Sequence, residues 1–404
     1  MGTSRSDIPA DLLTNFDIVA DPLLAGEPQK RLHDVFMADP RPIQYSPHNG
    51  GHWIITSYAM AHEILCDART FGSFPIGVPA NFTQRPRLIP LESDIDEHRR
   101  YRRLLLPVFS PEAVHQLEQS VRAKTASILD KNLCNGEIDF LKAIAKPIPT
   151  QLFANQMGLK EEDLETFYLW ENGFYRAPTE EERVQCGENI ALHLHRVVLE
   201  HQDQPKDDIV SLLLNSEVDG ERLTTDEVNS ICFLLFLAGI DTVAAMTSFI
   251  ALHLARDPKL WAQMRASNDV LEQSIDELLR IHSFINLNRI VSEDTIFHGV
   301  EFKKGDNVVI PSYITNRDDR VFANPNHFDN NRSASERKRH HAFGAGAHKC
   351  IGLHLAKLEV RVILQELAER VESFHLTDAS QIRGHGGTTM GLDSLPLTVS
   401  LAHA

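Results

Sequence analysis

The feature that most constrains this chain is an apolar run near its middle, at residues 231–255. The run is long enough to cross either a membrane or a whole globular domain. Asp241 lies at its centre, and a carboxylate there would cost roughly 2.5–3.5 kcal/mol in a bilayer. A capping box that begins at Thr224 precedes the run, and Asp257-Pro258 ends it. The sequence therefore predicts one long helix buried through the centre of a large soluble domain.

Composition narrows the class of protein further. The chain has 40 basic and 56 acidic residues and a formal net charge of −16, which disfavours non-specific binding to nucleic acid or anionic membrane. No break in composition marks a linker, so we expect a single domain over residues 1–404. The first residues lack the basic start and apolar run of a secretory signal. The cysteines are odd in number and widely spaced, which favours a reducing cytoplasm over a disulfide framework: Cys66, Cys134, Cys186, Cys232 and Cys350.

The remaining patterns predict a mainly α fold with a smaller β-rich lobe. Residues 97–213 are mostly helical in pattern, and HWII follows a turn at residues 49–51 as a strand. Two further strands, in 295–302 and 307–314, are predicted to pair through the turn at 303–306. From about residue 318 to residue 352 the chain is loop-rich, and long ordered loops tend to be functional.

That long loop ends in FGAGAHKCIG, residues 343–352, directly before the last helix. Its glycines allow backbone conformations that other residues avoid. Cys350 would face the unpaired N–H groups at the helix start, which lower the pKa of a thiol and favour the thiolate. An isolated cysteine beside a glycine-rich turn is more often structural, so the whole pattern carries the argument.

FGxGxHxCxG, followed here by Leu355-Ala356, resembles the haem-binding signature of the cytochrome P450 family, and the likeness is strongest to the bacterial camphor-hydroxylase type. The resemblance covers essentially the whole chain. It implies the triangular-prism fold, haem b as cofactor and Cys350 as the ligand of its iron, with Phe343 and Gly352 beside the haem. It also implies a monooxygenase that inserts one atom of dioxygen into a C–H bond. A thiolate ligand pushes electron density toward bound oxygen.

Three further groups of residues match the family in order along the chain. Glu277 and Arg280, one helical turn apart, would form a buried structural network with Arg332. His98 and Arg102, at positions i and i+4, would hold the haem propionates, although the spacing alone also fits a solvated basic face. The resemblance adds two more propionate contacts: Arg289 and His348.

The centre of the long helix reads Ala238-Gly239-Ile240-Asp241-Thr242. In the family this pattern distorts the helix over the haem. Asp241 and Thr242 would then deliver protons during oxygen activation, and Gly239 would leave room for dioxygen. A helix kink without chemistry is the alternative. By the same resemblance the substrate pocket is apolar with one amide, which suits a compact terpenoid or a small aromatic molecule; its lining residues would be Leu234, Leu237, Ala238, Ile285 and Asn286.

A basic patch stands out on this acidic chain and predicts docking of an acidic ferredoxin or flavodoxin. No nicotinamide or phosphate-binding motif is found in the sequence, so electrons must come from a separate protein or the oxidant must be peroxide. A peroxide-driven enzyme and a non-catalytic haem sensor remain as alternatives, and we expect a monomer. The patch comprises Arg99, Arg100, Arg103, Arg337, Lys338, Arg339 and Lys349.

Overall fold

The structure is a computed structural model that describes Arg5 and residues 7–78, 85–177 and 179–402. In these residues the helices are α1 Pro28–Ala38, α2 Tyr58–Cys66, α3 Ile95–Leu105, α4 Pro111–Asn132, α5 Pro147–Gln156, α6 Leu164–Arg176, α7 Glu180–Asp203, α8 Ile209–Leu214, α9 Thr225–Arg256, α10 Pro258–Ala266, α11 Asn268–Ile281, α12 Ser312–Thr315, α13 Ala334–Arg337 and α14 Leu353–Arg370. The strands are β1 Ile43–Ser46, β2 His52–Ile55, β3 Phe71–Gly72, β4 Gly136–Asp139, β5 Glu217–Val218, β6 Glu221–Arg222, β7 Asn286–Val291, β8 Thr295–Phe297, β9 Val300–Phe302, β10 Asn307–Pro311, β11 Val371–Leu376, β12 Arg383–His385, β13 Gly391–Ser394 and β14 Pro396–Leu401.

The predicted central helix is confirmed as α9. Thr224 is its N-cap, and the reciprocal bonds between Thr224 and Glu227 complete the capping box. The Asp257 N–H closes the last turn, and the following Pro258 begins α10. By length and composition α9 could cross a membrane, but most of its apolar window is buried inside the fold.

The predicted helix-rich body with a smaller β-rich part is also confirmed, although one pairing is different. The main sheet has the order β1-β2-β10-β7-β3, and β10 pairs with β2 in parallel and with β7 in antiparallel. The stretch 295–302, predicted as one strand, is itself a hairpin of β8 and β9. It turns at His298 and Gly299, both with positive φ, so β9 does not pair with β10 as predicted.

Two apolar clusters meet along α9 and set the place of the site. Residues of α9 up to Ile240 pack with α5–α8, whereas residues from Val243 onward pack with α4, α11 and α14. The change of neighbours falls at residues 238–243, the segment with the unusual pattern of glycine, acid and threonine. A third cluster fills the β-rich lobe around Trp53.

The long loop before α14 is anchored by buried charges. Arg280 donates two hydrogen bonds to Glu277, from Nε to Oε2 at 2.9 Å and from Nη2 to Oε1 at 2.7 Å. Arg332 Nε donates to the same Oε1 at 2.9 Å. The other Arg280 nitrogen, Nη1, donates to the carbonyls of Asn316 and Pro325. The three predicted network residues are therefore together and buried, and they tie the loop to α11.

Candidate active site

A cavity of about 370 Å³ lies between α9, the thiol loop, α3 and β7. Its lining includes all eight residues predicted to contact the cofactor: His98, Arg102, Gly239, Arg289, Phe343, His348, Cys350 and Gly352. Most of the remaining lining is apolar. Such a cavity, with a few convergent polar groups, is the form that ligand sites usually take.

Cys350 is presented to this cavity by the shape of its loop. Its N–H donates to Phe343 O at 2.9 Å, which folds the loop back on itself. Gly346, with φ of 67°, passes so close to α2 that a Cβ would lie 2.3 Å from Leu65 O. No other residue type fits at that position without moving the helix.

The electrostatics of Cys350 differ from the sequence prediction. The N–H groups of Gly352 and Leu353 do bond the sulfur, and Arg102 and Lys349 add positive charge. Burial is nevertheless the larger effect, so the pKa of the Cys350 thiol is raised, not lowered as predicted. The side chain is open toward the cavity while the surrounding protein separates it from bulk water. Protein dipoles alone therefore do not ionise this thiol, whereas a bound metal ion deprotonates a coordinating thiol outright.

Two arginines and two histidines converge on the same cavity: Arg102, Arg289, His98 and His348. Burial, followed by the charges of Arg102 and Arg289, lowers the pKa of His98 to about 4. Burial, followed by the effects of His98, Arg289 and Arg102, lowers the pKa of His348 to about 3. Their rings are 4.1 Å apart. Burial also lowers the pKa of Arg289 to about 10.

The two arginines lack the acidic partners that buried charges normally have. Among the described residues, no carboxylate lies within ion-pair distance of Arg102 or Arg289, and the Nε of Arg289 and the Nδ1 of His348 make no hydrogen bond. Because unpaired buried charges are costly, the cluster calls for an anionic ligand. A haem fits this donor set: Cys350 would hold its iron, and the cations would hold its two carboxylates.

At the centre of α9, Thr242 also lines the cavity. Its Oγ1 donates to Ala238 O at 2.8 Å, so the oxygen lone pairs remain free toward the cavity. The helix is continuous from Thr225 to Arg256, and the predicted distortion is not present as a break. Gly239 lines the cavity, and a Cβ there would lie 2.4 Å from the ring of Phe153, so packing also requires a glycine at this position.

Asp241 turns away from the cavity toward α6. Its Oδ2 accepts from Arg176 Nη2 at 3.0 Å, and the same nitrogen is 2.7 Å from Nε2 of His385 in β12. Glu171 lies beside them, and burial together with the charge of Asp241 raises its pKa well above the ordinary value. The sequence analysis did not identify these partners of Asp241.

Four of the five predicted substrate contacts line the cavity. Leu234, Ala238, Ile285 and Asn286 line the cavity, and Leu237 does not. Leu237 is packed in the cluster of α5–α9, because its position on α9 faces neighbouring helices. Asn286 donates through Nδ2 to Gly387 O at 2.6 Å and keeps its Oδ1 without a partner.

The sequence analysis missed four polar residues of the lining, and two of them, Asn288 and Glu359, have a buried oxygen without a partner. Asn288 follows Asn286 on β7, and its Oδ1 has no partner. Glu359 of α14 is buried, which raises the pKa of its carboxyl to about 8 and keeps it neutral at neutral pH. Neither residue belongs to a local motif, which explains why spacing did not reveal them.

The predicted basic patch is only partly free. Arg99, Arg103, Lys338, Arg339 and Lys349 are exposed, whereas Arg100 and Arg337 are half-buried. Arg337 Nη1 donates to two carbonyls of its own chain, and Arg100 faces Glu227 at 3.8 Å. A surface cleft beside the exposed arginines is lined by Asp96, Arg99, Arg102, Arg103 and Leu106, so Arg102 borders both this cleft and the cavity.

A helix-rich fold that aims a cysteine and a set of unpaired cations into one apolar cavity defines a haem-thiolate protein. The comparisons agree with this class. The family model described as cytochrome P450 matches residues 174–383. A probable cytochrome P450 127A1 of Sinorhizobium fredii is 30% identical over 97% of this chain and 95% of its own length. Pentalenic acid synthase of Streptomyces avermitilis is 29% identical over 94% and 93%.

A solved structure supports the same class of protein. The crystal structure of CYP101J2 has a TM-score of 0.88 at 30% identity and covers 98% of this chain and all of its own. The chain belongs to the cytochrome P450 family. As in the rest of the family, its cofactor is protoporphyrin IX haem, and it is a monooxygenase that incorporates one atom of oxygen.

Proposed function

We propose that this enzyme inserts one atom of dioxygen into a C–H bond of a small hydrophobic substrate, with electrons from a separate iron–sulfur protein. The observation that carries the proposal is the composition of one cavity. Cys350, the unpaired cations and Thr242 all line it, and the rest of the lining is mostly apolar. When bound, the haem supplies the oxygen activation and the oxygen insertion.

The chain's own residues bind and orient the cofactor in this proposal. Cys350 Sγ is the iron ligand, and the loop bond from its N–H to Phe343 O fixes its position. Arg102 and Arg289, with His98 and His348, would hold the two carboxylates, because all four line the cavity and neither arginine has an acidic partner there. Phe343 and Gly352 pack beside the ring, and the Glu277 network keeps the loop in place.

Proton movement is assigned to α9. The lone pairs of Thr242 Oγ1 face the cavity and can accept a hydrogen bond from a ligand there. Asp241 would pass protons toward the cavity from the side of α9 that faces α6, once its carboxylate has separated from Arg176. This role for Asp241 rests on its burial and its single ion pair, since a carboxylate with few partners can exchange them.

The apolar lining and the unpaired Oδ1 of Asn286 favour a compact terpenoid or a small aromatic substrate. Leu234, Ala238 and Ile285 supply apolar contacts, while the Asn286 amide oxygen would accept from a hydroxyl. The name of the pentalenic acid synthase supports a terpenoid only by analogy, because it is 29% identical. Limonene and ethylbenzene are suitable probes of the two substrate classes.

The electron donor is proposed to be an acidic ferredoxin that docks on the cleft formed by Arg99, Arg103 and the half-exposed Leu106. An apolar centre with a cationic rim is a common form of docking site. A monomeric enzyme in the cytoplasm, as the unpaired cysteines favour, would meet such a donor. Charge reversal at Arg103 should slow electron delivery in a salt-sensitive way, and reversal at Arg222, an exposed arginine outside the cleft, is the matched control.

The decisive experiment is the carbon monoxide spectrum of the reduced protein. Cys350→Ser should abolish the red-shifted thiolate band, while Cys66→Ser, at another exposed cysteine, should retain it. Turnover of limonene and ethylbenzene with a surrogate ferredoxin and reductase is then compared with turnover on hydrogen peroxide. Turnover only with peroxide would contradict the donor-driven proposal, and a band that survives Cys350→Ser would contradict the ligand assignment.

A further inference from the structure

A chain of polar contacts leads from Asp241 to the surface of the β12–β13 hairpin. Arg176 Nη2 donates to Asp241 Oδ2 at 3.0 Å and also contacts His385 Nε2 at 2.7 Å. On the other side of the imidazole, Nδ1 is 2.9 Å from Asp393 Oδ1. The side chain of Asp393 is 41% exposed, against 8% for Asp241.

The chemistry of these contacts fixes the proton on His385. A guanidinium nitrogen can only donate, so Nε2 must be the acceptor. The proton of a neutral imidazole is then on Nδ1 and is donated to Asp393. Both hydrogens of Arg176 Nη2 are consequently in use, one on Asp241 and one on His385.

Four charged or titratable groups face the contact between Arg176 and His385: Asp241, Glu171, Lys146 and Asp393. Arg176 balances the charge of Asp241, and Lys146 acts on Asp393. Burial, followed by the charge of Asp241, raises the pKa of Glu171 well above its ordinary value.

The position of the imidazole is fixed by close packing as well as by hydrogen bonds. Gly391 of β13 faces the ring, and a Cβ there would lie 2.6 Å from His385 Cε1 and 2.8 Å from Nε2. Because Gly391 pairs with His385 across the hairpin, the missing side chain is what allows the ring to reach Arg176.

We propose that His385, oriented by Asp393, is a positioning residue that accepts one Nη2 hydrogen of Arg176 and so holds the guanidinium where only Nη2 reaches Asp241, through a single hydrogen bond. A bidentate arginine–carboxylate pair is stronger and more rigid than a single bond. Sharing Arg176 therefore keeps the Asp241 carboxylate free to change partners. The inference rests on the proposed role of Asp241 in proton transfer.

The first test measures the tautomer of His385 and needs no substrate. Histidine labelled with ¹⁵N is observed in the reduced, carbon monoxide-bound enzyme, which is diamagnetic, and His385→Gln assigns the signal. We expect the Nδ1–H tautomer in the parent enzyme. Asp393→Asn should keep this tautomer, because Arg176 still requires Nε2 as the acceptor and the amide oxygen can accept from Nδ1, and Gly391→Ala should move the signal by displacing the ring.

The second test measures proton transfer. With the surrogate donor and whichever probe, limonene or ethylbenzene, is turned over faster, His385→Leu and Gly391→Ala should lower product formation about tenfold, at the lower end of what losing an outer partner costs a positioned group. The solvent deuterium isotope effect should rise in both variants. His385→Gln, which keeps an acceptor, should recover most of the rate, and His298→Gln, at a surface histidine–glutamate pair, is the control.

The outcomes separate this inference from the proposed function. An Nε2–H His385 in an enzyme with an intact thiolate band would overturn the inference alone. Likewise, a lower rate in His385→Leu without a larger isotope effect would show a merely structural residue. Loss of the thiolate band in the parent enzyme would overturn the proposed function, while the tautomer measurement would still stand.

Discussion

Two buried groups of charges in this fold are paired to very different extents. The Glu277 carboxylate accepts four hydrogen bonds, from Arg280 Nε and Nη2, Arg332 Nε and the Asp329 N–H. Around Asp241 the described contacts include one bond from Arg176, and both Arg176 Nε and Glu171 Oε1 lack partners. Both oxygens of the Glu277 carboxylate are bonded, whereas the second group keeps an unpartnered donor and an unpartnered acceptor with which to change partners.

The difference separates a structural network from one that can move. A fully satisfied buried network has a single low-energy arrangement and rigidifies its surroundings, whereas a partly satisfied one has alternatives of similar energy. The Glu277 group joins α11 to the loop that carries Cys350, where rigidity is needed. The Asp241 group joins three distant segments next to the cavity, where a proton must pass.

The largest expected effect is a loss of stability caused by a mutation in the Glu277 group. Glu277→Gln places an amide NH₂ against arginine N–H donors and leaves Arg280 as an uncompensated buried charge. Breaking a buried pair in this way costs about 3–5 kcal/mol. We expect the midpoint of urea unfolding to fall sharply and the haem content of the purified protein to drop.

Asp241→Asn is the matched change in the partly satisfied Asp241 group and should lower the free energy of unfolding by only about 1 kcal/mol. The amide keeps an acceptor for Arg176, which also retains His385 and, through Nη1, Asn172. Equal losses of stability in the two variants would contradict the distinction between the networks.

The first network and the haem contacts were predicted through the family resemblance, whose motifs include pairs at short, fixed spacings. Glu277 and Arg280 are one helical turn apart, His98 and Arg102 share a face of α3, and the pattern around Cys350 is contiguous. Local geometry brings these residues together. Arg332, which is 55 residues from Glu277, was predicted from the resemblance alone, as were Arg289 and His348.

The second network could not be predicted from spacing. Arg176 is 65 residues from Asp241, and His385 is 209 residues from Arg176, so tertiary packing alone brings them together. The β8–β9 hairpin, by contrast, could have been predicted from the sequence, because His298 and Gly299 can form a two-residue turn. His298 and Gly299 both have positive φ, which a two-residue hairpin turn requires.

The second prediction concerns activity. Asp241→Asn should lower the rate of product formation about 100-fold or more, the typical contribution of a positioned proton-transfer group. Substrate-induced spectral change and the thiolate band should be unaffected, since Asp241 does not line the cavity. Thr242→Ala should in addition divert reducing equivalents into hydrogen peroxide, and unchanged coupling in Thr242→Ala would contradict the assigned relay.

The third prediction uses the cations that have no acidic partner. Arg289→Gln should weaken haem binding about tenfold or more, the equivalent of one charge-assisted hydrogen bond. The haem-free protein should not lose stability, because the mutation removes an unpaired buried charge. Arg280→Gln is the contrast, since it should destabilise the protein with or without haem. Both are measured by haem titration and urea unfolding.

The smallest expected effect is the pH dependence of the haem-free protein. The pKa of His98 is lowered to about 4 and that of His348 to about 3 in the fold, against about 6.5 in the unfolded chain. As the pH falls, the unfolded chain therefore binds protons first. The contribution of these histidines to stability is complete above pH 6.5 and is lost as the pH falls toward 3.

Other buried histidines titrate in the same direction, so the test is a difference between variants. His98→Gln combined with His348→Gln should flatten the fall in unfolding free energy between pH 7.5 and 5. His52→Gln, at a residue whose pKa burial also lowers to about 4 but which lies outside the cavity, should flatten it in the haem-free and haem-loaded proteins alike. The double mutation of His98 and His348 should change the pH dependence less once haem is bound, because the haem carboxylates stabilise the protonated histidines. An equal effect of the cavity pair in both forms would show that these cations do not bind the haem carboxylates.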